Sequence, residues 1–358
     1  MNQERSSELL KCDTAKVLLM FLVIIGHCCG PFASKTWFHV VGLQYSQALS
    51  VFSRFLNSFH IYTFTLISGY IYYYQKIESG GGRYTRYTTF IKNKVIRLIV
   101  PYIFVTIVWA IPFRVIFFHP SFAEIVRNFV FADSPEQLWF LLMLFWVFAI
   151  YHPFAKMVDR HFVACSVGIL CLYFIGMIWD FTLDYFQFFK ALRFILFFHL
   201  GYGLRKYTAL FEKLKQIPAA VYVTVFLLVF AVNEWIHLLP MRTMLMKLIA
   251  FAAAMLLNTF GAISCFVCIQ KCDLRQSRIV SFYRKYTMTI YLFHQQLVYL
   301  FTLLISIFSH TPYIVIPFCF VLTMAGSTAI SILVLRWPIS RFLVGVPHNR
   351  EQKIQMER

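Results

Sequence analysis

The sequence predicts an all-α, polytopic integral membrane protein with about ten transmembrane helices and both termini in the cytoplasm. Composition comes first: 60% of the 358 residues are hydrophobic and only 13% are charged. A soluble domain carries about a quarter charged residues. Second, apolar runs recur along the whole chain, and many exceed the roughly 18 residues that suggest a spanning helix. Third, basic residues gather in alternate connecting segments, the pattern left by retention of positive charge on the inner side. Alternating strands of about ten residues, which a β-barrel needs, are absent.

The spans are expected at 14–33, 51–74, 97–118, 138–158, 162–181, 186–204, 217–235, 244–269, 287–308 and 313–335, with a short basic tail at 336–358. No connecting loop is long enough for a separate soluble domain, so residues 1–358 read as a single membrane domain. The first apolar segment has no small-residue cleavage site in a favourable place and reads as a retained helix.

Span one opens Asp13-Thr-Ala-Lys16 and reaches Gly26-His27 through an almost wholly apolar stretch. A helix rises about 1.5 Å per residue, so Lys16 and His27 lie roughly 16 Å apart along the axis. Lys16 is then near one membrane face and His27 about halfway across. Ionisable groups at that depth are costly and mark substrate paths or chemical sites. In span two, Asn57, His60 and Phe64 share a face, and Ser68-Gly69 allow a neighbouring helix to come close. His60 alone reads as a hydrogen-bonding core residue; beside His27, a chemical role weighs about equally.

Span three opens at Arg97 and carries Arg114, a cation expected to snorkel toward the outer interface. Span four opens with Leu138-Trp139. Asp180, Asp184 and Lys190 crowd the junction of spans five and six. Span six holds His199 and also Arg193, flanked by Phe188, Phe189, Phe194, Phe197 and Phe198. Arg193 fits either a carboxylate partner or an anionic substrate group. Span seven is plainly apolar. In span eight, Asn258 reads as interhelical glue, and Cys265 and Cys268 as small buried residues, since no second ligand pair accompanies them. No metal site is expected. Span nine places His294 beside Gln295 and Gln296.

The net charge of +18 is mostly topology: Lys76, Arg83, Arg86, Lys92, Lys94 and Arg97 sit in one loop, and similar groups follow spans four, six and eight. Nucleic-acid binding is therefore not expected. The spans hold histidines and bases but few buried acids, which argues against a carboxylate proton relay. An imidazole with a nearby cation suits general-base chemistry on an anionic cosubstrate.

These residues resemble the acyltransferase-3 family of integral membrane acyltransferases, and within it the fucose 4-O-acetylase-like branch. The family's first helix carries a basic residue, ten intervening residues and a histidine, here Lys16 and His27 with Asp13 preceding. The wider family has arginine at the position of Lys16. Its second helix reads Phe-His-Met-Pro and then Ser-Gly-Tyr. Phe59-His60 and Ser68-Gly69-Tyr70 are kept, while Ile61-Tyr62 stand for Met-Pro. Loss of that proline is expected to straighten the local helix. Arg97-Leu-Ile-Val-Pro101-Tyr102, Leu138-Trp139-Phe140-Leu141 and Tyr291-Leu-Phe-His294 continue the match in order.

The resemblance implies transfer of an acyl group, usually acetyl from acetyl-coenzyme A as cosubstrate, to a sugar hydroxyl of a surface polysaccharide or lipid-linked glycan. It places the protein in the cytoplasmic (inner) membrane of a bacterium. It implies His27 as general base and His60 as an oxyanion donor or sugar-orienting group. Lys16, with Asp13 and Arg97, would hold the donor's phosphates; Arg193, Trp139 and His294 would contact the acceptor. Expected partners are therefore the acyl-CoA donor, the saccharide or glycolipid acceptor and membrane lipid. A flippase or exporter of lipid-linked saccharide is the competing reading, and a scaffolding subunit a third that leaves the intramembrane imidazoles unexplained.

Overall fold

The computed structural model describes residues 2–34, 40–78, 86–179, 184–239, 243–272 and 277–346, with side chains from Glu8 onward. Arg83, Asp180, Arg242, Arg275 and the tail beyond residue 346 lie outside the described residues. Among the described residues the structure is helical, with no strand.

Among these residues seven helices are long and apolar enough to cross a membrane: Glu8–Ala33, Tyr87–Phe118, Glu136–Arg160, Ala219–Leu238, Met244–Lys271, Thr287–Ser306 and Pro312–Val334. These answer to seven of the ten expected spans. The other three expected segments are helical in a different way. The segment expected at 162–181 forms a helix at Phe162–Trp179, of which the apolar part is Phe162–Ile178, at the short end for a span. The segment at 186–204 forms Phe188–Lys206 and carries Lys190, Arg193, Arg205 and Lys206.

The segment at 51–74 is not one helix. It divides into Gln47–Asn57 and His60–Tyr73, with Phe59 at φ −138° and ψ −37° between them. Straightening by loss of the proline is therefore not what the chain does. Side chains sustain the break: Ser58 Oγ donates to the Phe55 carbonyl, His60 Nδ1 bonds the Leu56 carbonyl, and Thr63 Oγ1 donates to the Phe59 carbonyl. Polar side chains that bond nearby backbone offer the chain an alternative to the helical ladder.

In chain order, α1 is Asn2–Ala33, α2 Gln47–Asn57, α3 His60–Tyr73, α4 Tyr87–Phe118, α5 Trp139–Arg160, α6 Phe162–Trp179 and α7 Phe188–Lys206. Then α8 is Thr208–Gln216, α9 Ala219–Leu238, α10 Met244–Lys271, α11 Arg278–Arg284, α12 Thr287–Ser306 and α13 Pro312–Val334. Helix α4 starts ten residues before its expected span, and its first turns carry the exposed Lys92 and the half-buried Lys94. It contains two wide turns, Val95–Ile99 and Thr106–Ala110, just before Pro101 and Pro112. A proline removes one helical hydrogen bond and crowds the carbonyl four residues back, and a wide turn relieves that crowding.

The chain forms two compact units, each assembled from separated stretches. The first comprises Met1–His39, Gln44–Tyr74 and Phe197–Arg284; the second comprises Val40–Leu43, Gln75–Leu196 and Lys285–Arg358. In the first unit, α1 packs against α2, α3, α10 and α11. The crossing of α3 with the end of α7 is made by two glycines. A Cβ on Gly69 would collide with the Phe198 carbonyl, and one on Gly201 with the Leu66 carbonyl. Backbone meets backbone there, the geometry that small residues permit between membrane helices. Tyr62–Phe197, Tyr72–Phe198 and Tyr73–Tyr202 ring contacts flank the crossing.

In the second unit α12 and α13 pack along their lengths. Near its carboxyl end Gly345, at φ +72°, lets the chain approach Pro101 and the Arg97 carbonyl, where any side chain would be crowded.

Candidate functional site

Four of the residues expected to take part in catalysis or binding fall in the first unit: Asp13, Lys16, His27 and His60. Lys16 Nζ donates to Asp13 Oδ1 at 2.9 Å, and the two side chains keep 26% and 32% of their exposure. One helical turn sets this pair, since residues three apart face each other. Asp13 has a second cation near it. Arg284, on α11, donates from Nη2 to Thr14 Oγ1 at 3.2 Å. Burial draws the Arg284 guanidinium below its ordinary range, and the charge of Asp13 acts in the opposite direction. Lys16, Asp13 and Arg284 thus form a cation–acid–cation group at the start of the apolar part of α1.

A second charged group lies near it. Tyr70, the last residue of Ser68-Gly69-Tyr70, donates its hydroxyl hydrogen to Glu8. Arg205 pairs with Glu8 and donates to the Tyr70 hydroxyl at 3.2 Å. Its guanidinium lies over both the Tyr70 and Tyr74 rings, 5.5 and 5.4 Å from their centroids. Sequence reasoning misses Glu8, Arg205 and Arg284 because each stands outside or at the rim of an apolar run. The legible signal is Tyr70, a hydroxyl ending a motif of small residues.

Further along α1, His27 is half-buried. Its neighbour Gly26 faces Leu56, with 3.7 Å between the Leu56 Cδ1 and the position a Cβ would take. Leu56 is the residue whose carbonyl accepts from the buried His60 ring. The break between α2 and α3 therefore sets His60 at the level where α1 presents Gly26-His27. The surrounding wall is apolar: Leu56, Phe59, Phe226, Phe230 and Leu257 form the core, with Leu22, Ile25 and Phe55 packed against it.

The carbonyl of Leu56 can only accept, so His60 Nδ1 carries the hydrogen. The neutral ring then holds its lone pair on Nε2. In that form His60 accepts a hydrogen bond from a hydroxyl; donation to an oxyanion, as the resemblance suggested, requires the imidazolium.

Arg97, Trp139, Arg193 and His294 belong to the second unit. Arg97 is exposed on the wide turn before Pro101. Arg193 is half-buried, and its stem runs past Gly176 of α6, where a Cβ would meet Arg193 Cγ at 2.8 Å. Trp139 stands edge-on to Phe194 at 5.7 Å, with Lys190 Nζ 4.8 Å from its ring centroid. His294 is fully buried, and its Nδ1 lies 2.8 Å from the Tyr291 carbonyl, which fixes the same tautomer as in His60.

Beside His294 lies a buried polar network. Glu136, with 8% of its side chain exposed, pairs with Arg114 Nη1 at 3.2 Å. It also accepts from Gln295 and Gln296 at 3.2 and 3.1 Å. Gln137 Nε2 donates to Gln296 Oε1 and to the Leu292 carbonyl, both at 2.8 Å. Arg114, expected to snorkel, instead holds this buried acid. The amides of Gln295 and Gln296 are the sequence signal, since two adjacent amides in an apolar helix require partners. Among the described residues, no three histidine, cysteine or acidic side chains gather closely enough to hold a metal ion.

A family profile described as an acyltransferase domain, acyltransferase-3, matches residues 10–332. No curated protein and no solved structure matches the chain.

Proposed function

The chain belongs to the acyltransferase-3 family, and from that premise we propose that it moves acetyl from acetyl-coenzyme A onto a sugar hydroxyl. The acceptor in this reading is a surface polysaccharide or a lipid-linked glycan, as in the fucose 4-O-acetylase-like branch. The protein acts in the bacterial inner membrane, with about ten spans and both termini cytoplasmic.

In the proposed reaction His27 takes the proton of the acceptor hydroxyl as its oxygen attacks the thioester carbonyl. The tetrahedral intermediate collapses by breaking the carbon–sulfur bond. The imidazolium returns its proton to the departing thiolate, leaving an acetyl ester, free coenzyme A and neutral His27. General-base help of this kind is typically worth about 10²–10⁴-fold. His60 accepts a hydrogen bond from the hydroxyl through Nε2 and so orients it. Lys16, braced by Asp13, binds donor phosphate; a compact ammonium suits that task. Arg97 is a further cation for the donor, and Arg193, Trp139 and His294 are assigned to the acceptor on their chemistry alone.

The observation that carries the reading is the shared level of His27 and His60, with Gly26 against Leu56 and the Leu56 carbonyl on the His60 ring.

The test is mass analysis of the host's surface glycans with the gene deleted and then complemented by wild type or His27→Ala. Loss of a base-labile acetyl increment, restored by wild type alone, is the expected result. Unchanged glycan mass with less glycan at the surface would replace this reading by export of a lipid-linked saccharide.

A further inference from the structure

Positive charge also concentrates at one place in the second unit that the proposed chemistry does not use. Lys76 Nζ lies 3.5 Å from Nδ1 of His152 and 3.4 Å from its carbonyl oxygen. The His152 ring is buried and stacks on Phe90, with centroids 3.9 Å apart and planes 9° from parallel. Lys94 Nζ lies 3.4 Å from the centroid of Phe148 and 5.2 Å from that of Phe90. Phe90 and Phe148 meet edge to face at 5.9 Å, and the half-exposed Tyr87 ring is 6.0 Å from His152. Burial pulls the Lys76 amine below its ordinary range, and the charge of the exposed Lys156 adds to that effect.

Lys76 and Lys94 are each half-buried. Like charges brought together at reduced solvation disfavour one another, and an anion placed among them reverses the sign of that interaction. The ammonium groups offer compact, rotatable donors, which suit phosphate oxygens. The aromatic floor adds flat faces on which a heterocycle or a lipid's glycerol region can lie.

We propose that Lys76 and Lys94, around the Phe90–His152–Phe148 floor, form a binding site for a phosphate-bearing ligand. Two sources share this chemistry: the nucleotide end of the acyl donor, and the headgroup of an anionic phospholipid. The nucleotide source rests on the donor reading above; the lipid source does not.

The experiment uses the full-length protein and three variants: the double variant Lys76→Gln/Lys94→Gln, its arginine counterpart and Lys16→Glu. Adenosine 3′,5′-bisphosphate binding is measured in detergent. Retention of phosphatidylglycerol against phosphatidylcholine is measured by native mass spectrometry from nanodiscs. Wild type should bind at least one phosphate probe about tenfold or more tightly than the glutamine variant, the loss expected when charged hydrogen bonds are removed. The arginine variant should restore binding, and the glutamine variant should keep the wild-type melting temperature. Loss confined to the bisphosphate assigns the donor; loss confined to phosphatidylglycerol assigns the lipid. Equal binding of both probes by wild type and the glutamine variant overturns the site, as does binding of neither by wild type. Bisphosphate binding lost in Lys16→Glu but kept in the glutamine variant excludes the nucleotide source here and leaves the donor reading intact. Failure of wild type to transfer acetyl would remove the donor reading, and the phosphatidylglycerol comparison would still decide this site.

Discussion

His27 and His60 reach one level of the first unit by different routes, and their substitution should differ accordingly. His27 rides on a long uninterrupted helix, so its removal leaves the backbone of α1 supported by its packing. His27→Ala is expected to lower acetyl transfer by about 10²–10⁴-fold, as for loss of a general base, with the protein still inserted and folded. Transfer at near wild-type rate with purified variant would end that assignment. His60→Ala removes one partner of the Leu56 carbonyl, which also accepts from the Phe59 backbone N–H at 3.3 Å. Loss of one buried hydrogen bond costs about 0.5–1.5 kcal/mol, so this variant should lose thermal stability as well as activity. At Lys16 the charge matters more than its shape. Lys16→Arg should keep activity, while Lys16→Glu, set beside Asp13 at i, i+3, should lose donor binding. Titration with acetyl-coenzyme A distinguishes them, and normal binding by the glutamate variant would remove Lys16 from the phosphate contact.

At the scale of the helix, the pair Gly69 and Gly201 tests whether α3 and α7 meet as closely as their backbones indicate. Each glycine faces a carbonyl of the other helix, a rigid neighbour that cannot rotate away like a side-chain end. Gly69→Ala or Gly201→Ala should therefore separate the helices or distort them, at about 1–3 kcal/mol for overpacking. A melting temperature within error of wild type for both would show that the crossing has room to spare. Ser68-Gly69 is legible as a packing motif, but its partner is not, because Gly201-Tyr202-Gly203 closes an aromatic stretch without the Ser-Gly signature. The break at Ser58–Phe59 is hidden for another reason. The run from 51 to 74 has the length of one span although it carries Arg54, Asn57 and His60, and the local hydrogen bonds of Ser58, His60 and Thr63 interrupt it. Apolar periodicity locates a helix within the membrane but does not register side chains that compete for its carbonyls. The Glu136 network is half legible in the same way. Gln295 and Gln296 announce a need for partners, whereas Glu136 stands at the edge of a span and Arg114 has a simpler fate available.

At the scale of the molecule, the alternating charge of the loops makes a claim that the count of long helices does not make by itself. Among the described residues, seven helices are long and apolar enough to cross a membrane. Seven crossings would leave the two ends of the chain on opposite sides. The positive-inside pattern instead keeps both ends with the basic loops, which requires an odd number of further crossings. The three remaining helical segments supply it if α2 with α3, α6 and α7 each cross once. At about 1.5 Å per residue, α2 and α3 alone are roughly 16 and 21 Å long, each short of a core about 30 Å thick, and only their sum suffices. The break at His60 would then lie within the bilayer, where irregular backbone is tolerated only inside protein or along a polar cavity. Single cysteines introduced near residue 2 and near residue 346, in a background lacking exposed Cys171 and Cys272, should both resist an impermeant thiol reagent in intact cells and react after lysis. Labelling of one end alone in intact cells would show an odd number of crossings. At least one of those three segments would then lie in or on the membrane without spanning it, and the inward assignment of the basic loops on that side would have to be reversed.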